Sequence, residues 1–169
     1  RSTGNTPCFY NHFVTDREEP FDQPGTPAEP KGHYIFDKPE PLWNFGHGKS
    51  YTTFDYVDCA LSDTLLAASD TLKVSVTIKN TGRRDGKEVV QLYVRDKVST
   101  VATPIQQLKA FQKVLIKPGE SQCVELSLPI AELALYNAKM EEVVEPGDFE
   151  IQIGAASDDI RFKKTITIN

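Results

Sequence analysis

The chain has 169 residues, of which 39% are hydrophobic and 25% charged, a composition typical of one ordinary globular domain with some additional chain. The formal net charge of −5 argues against nucleic acid and against an anionic membrane surface as partners, because both bind clustered lysine and arginine. No apolar run approaches the roughly 20 residues that a membrane-spanning helix needs, so no membrane partner is predicted.

The N-terminal region is rich in proline and aromatic residues. The chain begins RSTGNTPCFYNH, without an initiator methionine, which predicts the interior of a longer protein. Residues 1 to about 50 contain seven of the eleven prolines, and proline removes an amide donor and fixes φ. A disordered linker would hold fewer aromatic residues. We therefore predict that residues 13–50 form an extended arm, packed on a neighbouring surface with little regular structure. The aromatic residues concerned are Phe9, Tyr10, Phe13, Phe21, Tyr34 and Phe36.

From Tyr51 onward the pattern changes to that of β-strands. The segment TLKVSVTIKN alternates strictly between apolar and polar residues, which predicts a half-buried strand. The turn-forming cluster TGRRDG follows, and the next segment, KEVVQLYVRD, also places apolar residues on one face. The residues predicted to face the core are Leu72, Val74, Val76, Ile78, Val90, Leu92 and Val94.

Further strands are predicted at LKAFQKVLI, QCVELSLP, FEIQIGA and RFKKTITIN. The sequences KPGE (117–120) and EPGD (145–148) place proline and glycine at the central positions of predicted type II turns. The segment IAELALYN is compatible with one or two helical turns. Six or seven short strands separated by turn signals predict an all-β, antiparallel sandwich of the fibronectin type III or immunoglobulin-like class, preceded by the extended arm.

The cysteines do not indicate a metal site. Cys8, Cys59 and Cys123 lie far apart, are odd in number and show no C-x-x-C or metal-type spacing. We interpret them as small hydrophobic residues buried on strands, with one disulfide as the open alternative. The three histidines are scattered, and no cofactor is predicted.

Adjacent carboxylates occur at Glu18–Glu19, Glu141–Glu142 and Asp158–Asp159. Glycoside hydrolysis requires two carboxyl groups that face one sugar, about 5 to 9.5 Å apart. Neighbouring residues of an extended chain point to opposite faces, so these pairs are interpreted as solvated turn charges. The FGHG sequence does not open a helix after a strand and is therefore not a phosphate loop. The residue patterns predict no catalytic residue in this chain.

The segment PLWNFGHGKSYTTFDY (41–56) resembles the one that introduces the C-terminal fibronectin type III-like domain of glycoside hydrolase family three, the β-glucosidases and β-xylosidases. That family usually has F-G-[HY]-G-L-S-Y-T-x-F, and Lys49 stands where leucine is common. The similarity continues in order through VTIKNTGRRDGKEVVQLYV, LKAFQKVLIKPGES and VEPGDFEIQIGAASDDIR. It covers about residues 41–169, and RSTGNTPCFYNH resembles the end of the family's second domain, an α/β sandwich.

The resemblance implies that residues 1–50 are the end of the preceding α/β sandwich domain and an arm, and that residues 51–169 are a fibronectin type III-like domain. It implies that a parent enzyme hydrolyses O-glycosidic bonds with retention, through carboxylates that lie upstream of Arg1. The implied role of this chain is a C-terminal accessory domain, whose partners are the catalytic barrel and the α/β sandwich. The implied substrate of the parent is a β-glucoside or oligosaccharide, without a cofactor, in a periplasmic or secreted enzyme.

Two interpretations of the N-terminal aromatic residues remain open. They form a hydrophobic seam between the sandwich and the arm, or some of them reach the rim of the parent's sugar site, since sugar rings stack on aromatic side chains. The residues assigned to the seam are Trp43, Phe45, Tyr51 and Phe54, and the rim candidates are Trp43, Tyr10 and His12. A stand-alone carbohydrate-binding or cell-surface adhesion module is the alternative function, and it would need an exposed aromatic strip on the sandwich.

Overall fold

The computed structural model describes residues 9–13, 28 and 41–169, and these form ten β-strands and one short 3₁₀ helix. The strands are β1 (Phe54–Leu61), β2 (Leu65–Leu66), β3 (Thr71–Asn80), β4 (Gly86–Asp96), β5 (Gln107–Ile116), β6 (Ser121–Pro129), β7 (Leu135–Tyr136), β8 (Glu142–Val143), β9 (Gly147–Gly154) and β10 (Ile160–Ile168). They build a three-stranded sheet in the order β1-β3-β6, a five-stranded sheet in the order β2-β10-β9-β4-β5, and the two-stranded hairpin β7-β8. The predicted β-sandwich is confirmed.

The pairing between the long strands is antiparallel throughout. The pair β2 and β10 is parallel, with Leu65 opposite Thr167 and Leu66 opposite Ile168. Strand β1 was not predicted, and neither were the short strands β2, β7 and β8, in which two residues are too few to show an alternating pattern. The residues of the arm between 14 and 40, apart from Ala28, lie outside the described part of the chain.

The core lies between the two main sheets, and the predicted inward faces of β3 and β4 are confirmed. All seven residues predicted to face the core are buried. Apolar side chains from the other strands complete this core, among them Val124, Leu126 and Leu128 on β6 and Ile151 and Ile153 on β9. Strict alternation predicts the buried face correctly because every second side chain of a strand points to the same face.

One of the two predicted proline–glycine turns forms and the other does not. Gly119 has a φ of 77°, and the amide of Glu120 donates to the carbonyl of Lys117 at 3.0 Å, as a type II turn requires. The prediction for 145–148 was wrong, because Gly147 already belongs to β9 and pairs with Ile168. The helical expectation for IAELALYN reduces to one 3₁₀ turn, Ile130–Leu133, before the chain enters β7.

The cysteines follow the alternation of their strands. Cys59 lies opposite Val76 and is buried, as predicted, whereas Cys123 lies opposite Thr77 and is exposed, which corrects the prediction for that residue. Because Val76 and Thr77 are consecutive, their partners point to opposite faces of the sheet. Both thiols are free, and Cys8 lies outside the described residues.

Asn80 fixes the entry of the chain into the sandwich. Its side chain is fully buried, and its amide nitrogen donates to the carbonyls of Arg84 and Ile116 at 2.8 Å each. Its side-chain oxygen accepts from Thr52 Oγ1 at 2.7 Å and from the amide of Gly82 at 3.0 Å. A single side chain thus holds the segment before β1, the β3–β4 turn and the end of β5 together.

Candidate interdomain surface

Strand β4 is covered on both faces. Val90 and Leu92 point into the core, and on the opposite, outer face Gln91 and Tyr93 are only 3% and 0% exposed. Contacts from two segments that precede the sandwich, 9–13 and 44–46, reach this outer face. The outer face of β4 is therefore the place where upstream polypeptide meets the domain.

An aromatic cluster of Tyr10, Phe45 and Tyr93 forms the centre of this contact. The ring of Tyr10 stacks on Phe45, with ring centres 4.0 Å apart and planes 13° apart, and it meets Tyr93 edge-on at 6.0 Å. Both arrangements are favourable for aromatic pairs. The amide of Leu108 on β5 also donates to the Tyr10 hydroxyl at 3.2 Å. Tyr10 therefore joins the upstream segment to β4, to β5 and to the segment that contains Phe45.

A polar network lies beside the aromatic cluster. The Tyr93 hydroxyl donates to Gln91 Oε1 at 2.6 Å, and Gln91 Nε2 donates to the carbonyls of Gly46, at 3.2 Å, and Ala155. Burial raises the pKa of Tyr93, so its hydroxyl stays protonated and remains a donor. Gly46 has a φ of 81°, and a Cβ there would lie 2.1 Å from Gln91 Oε1. The close approach of this backbone to Gln91 therefore requires glycine.

The segment 44–47 is also attached to the β9–β10 connection. The amide of Ser157 donates to the carbonyl of Phe45 at 2.9 Å, and Asn44 Nδ2 donates to Asp158 Oδ2 at 2.6 Å. The amide of His47 donates back to the carbonyl of Asn44 at 3.0 Å, which closes a turn. These contacts explain in physical terms why an N-F-G sequence stands ahead of the first strand.

Residues 9–13 run beside the chain that leads into β5. The amide of Ile105 donates to the carbonyl of His12 at 2.9 Å, and Phe13 forms an antiparallel bridge with Pro104. A short piece of upstream chain thus pairs by its backbone with the loop that precedes β5.

The structure separates the three rim candidates. Tyr10 belongs to the aromatic cluster, whereas His12 is exposed and Trp43 is 57% exposed. The Trp43 ring already stacks on His47, with ring centres 4.6 Å apart, and Lys49 Nζ lies 4.9 Å from its centre. The place of these three residues at the rim of the parent's sugar site stays a prediction.

The seam prediction needs a correction. Phe45 packs in the seam, and Phe54 packs against the core, but Tyr51 is 90% exposed and Trp43 stays more than half exposed. Tyr10, a rim candidate in the sequence analysis, also packs in the seam, where it stacks on Phe45. Tyr51 lies three residues before β1. The next residue, Thr52, points inward because its hydroxyl donates to the Asn80 side chain, and Tyr51 therefore points outward.

The adjacent carboxylates have separate structural partners. Asp158 accepts from Asn44, as described above, and Asp159 forms an ion pair with Arg161, with Nη2 2.9 Å from Oδ2. Glu141 accepts from Asn137 Nδ2 at 2.9 Å, within the β7–β8 hairpin. The pair Glu18–Glu19 lies outside the described residues.

One half-buried carboxylate, that of Glu88, escaped the sequence reasoning. Glu88 shares the inward face of β4 with Val90, and it accepts a hydrogen bond from the Tyr56 hydroxyl of the opposite sheet at 3.0 Å. The guanidinium of Arg161 lies 5.6 Å from the centre of the Tyr56 ring. Burial raises the pKa of Glu88, and burial together with the Glu88 charge raises that of Tyr56. The sequence did contain the signal for this position. Glu88 precedes Val90 by two residues, so the two side chains point to the same face of the strand.

Within residues 9–13, 28 and 41–169, no group of three or more His, Cys, Asp and Glu side chains is arranged to hold a metal ion. No helix in the same residues is long and apolar enough to cross a membrane.

Comparison with known proteins identifies the class of domain. Residues 88–157 match the family model of the fibronectin type III-like domain. The β-xylosidase of Formosa agariphila is 40% identical over 163 residues, which span 95% of this chain and 21% of that protein. The periplasmic β-glucosidase of Salmonella typhimurium is 37% identical over 157 residues, 93% of this chain and 20% of that protein.

A solved structure supports the same assignment. The β-glucosidase from Listeria innocua in complex with glucose superposes with a TM-score of 0.78 and 34% identity, covering 96% of this chain and 22% of that one. The sandwich is thus a fibronectin type III-like domain. The chain matches a C-terminal part of β-glucosidases and β-xylosidases of glycoside hydrolase family three, and it spans about a fifth of the length of the curated relatives described above.

Proposed function

We propose that this chain serves as the C-terminal accessory domain of a β-glucosidase-like enzyme and holds the catalytic domains in place. The observation that carries the proposal is the outer face of β4, where Tyr10 and Phe45 from upstream chain cover Tyr93. A domain that needs upstream residues to cover one of its own strands is suited to a fixed position in a larger enzyme. Its partners in this proposal are the catalytic barrel and the α/β sandwich, with the boundary between arm and domain at residues 50 and 51.

Exposed apolar side chains next to the aromatic cluster support this assignment. Phe9, Phe13, Leu42 and Trp43 are all more than half exposed, and contiguous apolar surface of this kind is typical of an interface. In the proposed enzyme they contact the preceding domain. The parent hydrolyses O-glycosidic bonds of β-glucosides or oligosaccharides by the retaining mechanism, with its two carboxylates upstream of Arg1. A periplasmic or secreted location is proposed because one relative is named a periplasmic β-glucosidase.

The proposal is tested with the chain and with its parent. The purified 169-residue chain should show no turnover of aryl β-glucosides or cellobiose. In the parent, Phe45→Ala should lower the melting temperature, because it opens the aromatic cluster, while Tyr51→Ala should not, because Tyr51 is exposed in the domain. Turnover by the chain alone would reveal a catalytic site in it. Equal melting temperatures for both variants and the parent would indicate that the domain has another task.

A role for Trp43 at the rim of the parent's sugar site is a second proposal, supported by the exposure of its ring. Trp43→Ala in the parent should then raise KM for an oligosaccharide more than KM for a short aryl glucoside. An equal change for both substrates would assign Trp43 to the domain interface instead.

A further inference from the structure

The loop that connects β4 to β5 borders an open hollow, at one end of which Pro104 and Ile105 pair with residues 12–13. Its volume is about 290 Å³, and all of its walls come from residues 95–105. This volume lies at the lower end of the range of about 300 to 1,000 Å³ that is usual for small-molecule sites. A second hollow of about 60 Å³ adjoins it, with Asp96, Thr103 and Pro104 common to both.

The loop around the hollow is held in place by several hydrogen bonds. The amide of Lys97 donates to the carbonyl of Asp148 at 3.2 Å, and the amide of Thr100 donates to Glu145 Oε2 at 2.9 Å. At the other end, the amide of Ile105 donates to the carbonyl of His12. A ligand would therefore meet a preformed cavity, without the free-energy cost of ordering a loop.

The lining combines polar and apolar groups in the way that sugar rings require. Arg95 and Thr103 can donate hydrogen bonds and the Asp96 carboxylate can accept them, whereas the Ser99 hydroxyl already donates to Glu145 Oε2 at 3.4 Å. Val101 and other apolar residues of the loop line the same hollow, and such groups can contact the C–H faces of a pyranose.

The lining carries Arg95 and Lys97 against the single carboxylate of Asp96, so an anion is the competing ligand that the phosphate probe below tests. Asp96 lies where the two hollows meet, and its carboxylate would repel a phosphate or sulfate. The ammonium group of Lys97 already donates to Thr165 Oγ1 at 2.9 Å. The Asp96 carboxylate accepts one amide, that of Val98 at 3.2 Å, and its partial burial raises its pKa, which makes it a better hydrogen-bond acceptor for a hydroxyl group.

We propose that the hollow under residues 95–105 binds a single neutral sugar unit and serves as a non-catalytic subsite of the domain. The choice of a sugar rests on the proposed function, since the substrates and products of a glycoside-cleaving parent are sugars. The subsite is separate from the aromatic cluster and uses none of its side chains.

The test is an amide NMR titration of the 169-residue chain with D-glucose, D-xylose and cellobiose, and with inorganic phosphate as the anionic probe. We expect saturable shifts within residues 95–105 with at least one sugar, at millimolar affinity, as suits a ligand of about a dozen heavy atoms. Shifts that do not saturate with any of the sugars would overturn the proposal. Shifts centred on Trp43 would favour the rim site instead, and saturation by phosphate alone would make the hollow an anion site.

Variants locate the binding and keep the test independent of folding. Asp96→Asn should weaken sugar binding about fivefold or more, because it removes a charged acceptor. Val101→Trp should abolish binding by filling the hollow. If Asp96→Asn lowers stability, the Val101→Trp variant is the one that tests whether the sugar binds in the hollow. Glu142→Gln, on the exposed β7–β8 hairpin, is the matched control and should bind as the unchanged chain does. Unaltered binding by Val101→Trp would place the ligand elsewhere. The accessory role in the parent is tested by stability and turnover, so the two proposals can fail separately.

Discussion

The two faces of strand β4 are buried by different means. The inner face packs Val90 and Leu92 against apolar side chains of the same domain, whereas the outer face holds Tyr93 and Gln91 under residues from far upstream. The residues of the inner face follow from the local alternation of the sequence, and the hydrophobic effect that buries them is non-directional. Outer burial depends on hydrogen bonds and ring stacking with defined geometry. The difference teaches that one strand can stabilise its own domain with one face and join it to the preceding chain with the other.

The largest effect is expected on the inner face. Leu92→Ala should lower the free energy of unfolding by about 3 kcal/mol, because it removes a fully buried aliphatic side chain and leaves a cavity. Denaturant unfolding of the chain measures this change. The control is Val57→Ala, at a position that is 58% exposed, which should change stability by less than about 0.5 kcal/mol. A comparable result for both variants would mean that the inward face has been assigned wrongly.

The backbone contact on the outer face should be the next most sensitive. Gly46→Ala introduces a Cβ at positive φ and against Gln91 Oε1, so it should cost about 1–2 kcal/mol and displace the segment 44–47. Gly48→Ala is the matched control, because a Cβ at Gly48 meets no atom within 4 Å. Denaturant unfolding of both variants gives the comparison, and a Gly46→Ala chain as stable as Gly48→Ala would show that the segment does not need this close approach.

The Tyr10 hydroxyl should have a smaller effect. Tyr10→Phe keeps the stack on Phe45 but removes the acceptor of the Leu108 amide, at a cost of about 0.5–1.5 kcal/mol. The amide of Leu108 should then exchange faster with solvent, while amides in β3 should keep their rates. Hydrogen exchange followed by NMR provides the measurement. An unchanged rate at Leu108 would indicate that water replaces the hydroxyl at no cost.

The smallest effect concerns Glu88 and depends on pH. Burial raises its pKa in the folded chain above the unfolded value of about 4.3, so the folded state binds this proton more tightly. The stability that Glu88 contributes is therefore fully present below the unfolded pKa and is lost as the pH rises through the folded pKa. The charged neighbours Arg161 and Asp159 act on it in opposite directions, Arg161 lowering and Asp159 raising the pKa.

Glu88→Gln removes this titration and keeps an oxygen that can accept from Tyr56. Relative to the unchanged chain, the variant should gain stability as the pH rises above the unfolded pKa of about 4.3, as measured by thermal unfolding. Glu142→Gln, on the exposed hairpin, serves as the control. Parallel pH curves for Glu88→Gln and the unchanged chain would show that Glu88 titrates in the fold as it does in the unfolded chain.

The fold followed from sequence where a pattern is local and repeated. Leu72 to Ile78 alternate over a full strand, and any antiparallel sandwich buries such a face. The outer face did not follow, because Tyr93 has an apolar ring on the side that alternation assigns to solvent, and its cover comes from Tyr10. Glu88 was overlooked because the apolar pattern was followed from Val90 onward, although the same face includes the carboxylate.

The candidate surface was predictable only in its composition. Among the aromatic residues of the N-terminal region, Tyr10 and Phe45 pack in the cluster while Phe9 and Phe13 are more than half exposed, and this choice depends on tertiary contacts that no spacing encodes. Phe45 is placed by the amide of Ser157 and the approach of Gly46 to Gln91, whereas Tyr51, six residues later, is directed outward. The turn predicted at EPGD was wrong because a tertiary contact overrides the local signal. Gly147 pairs with Ile168 and starts a strand where the local sequence favours a turn.

The parallel pair between β2 and β10 has a consequence for synthesis on the ribosome. Leu65 in β2 pairs with Thr167 in β10, which is the last strand in the sequence, and β10 also completes the pairing of β9. Since contacts this distant in sequence form slowly and cannot form before both partners have emerged, the five-stranded sheet stays incomplete until Ile168 has left the exit tunnel. During that interval β9 has an unpaired edge. Nascent chains paused just before β10 should therefore be more sensitive to protease and more strongly bound by chaperones than chains paused well after it.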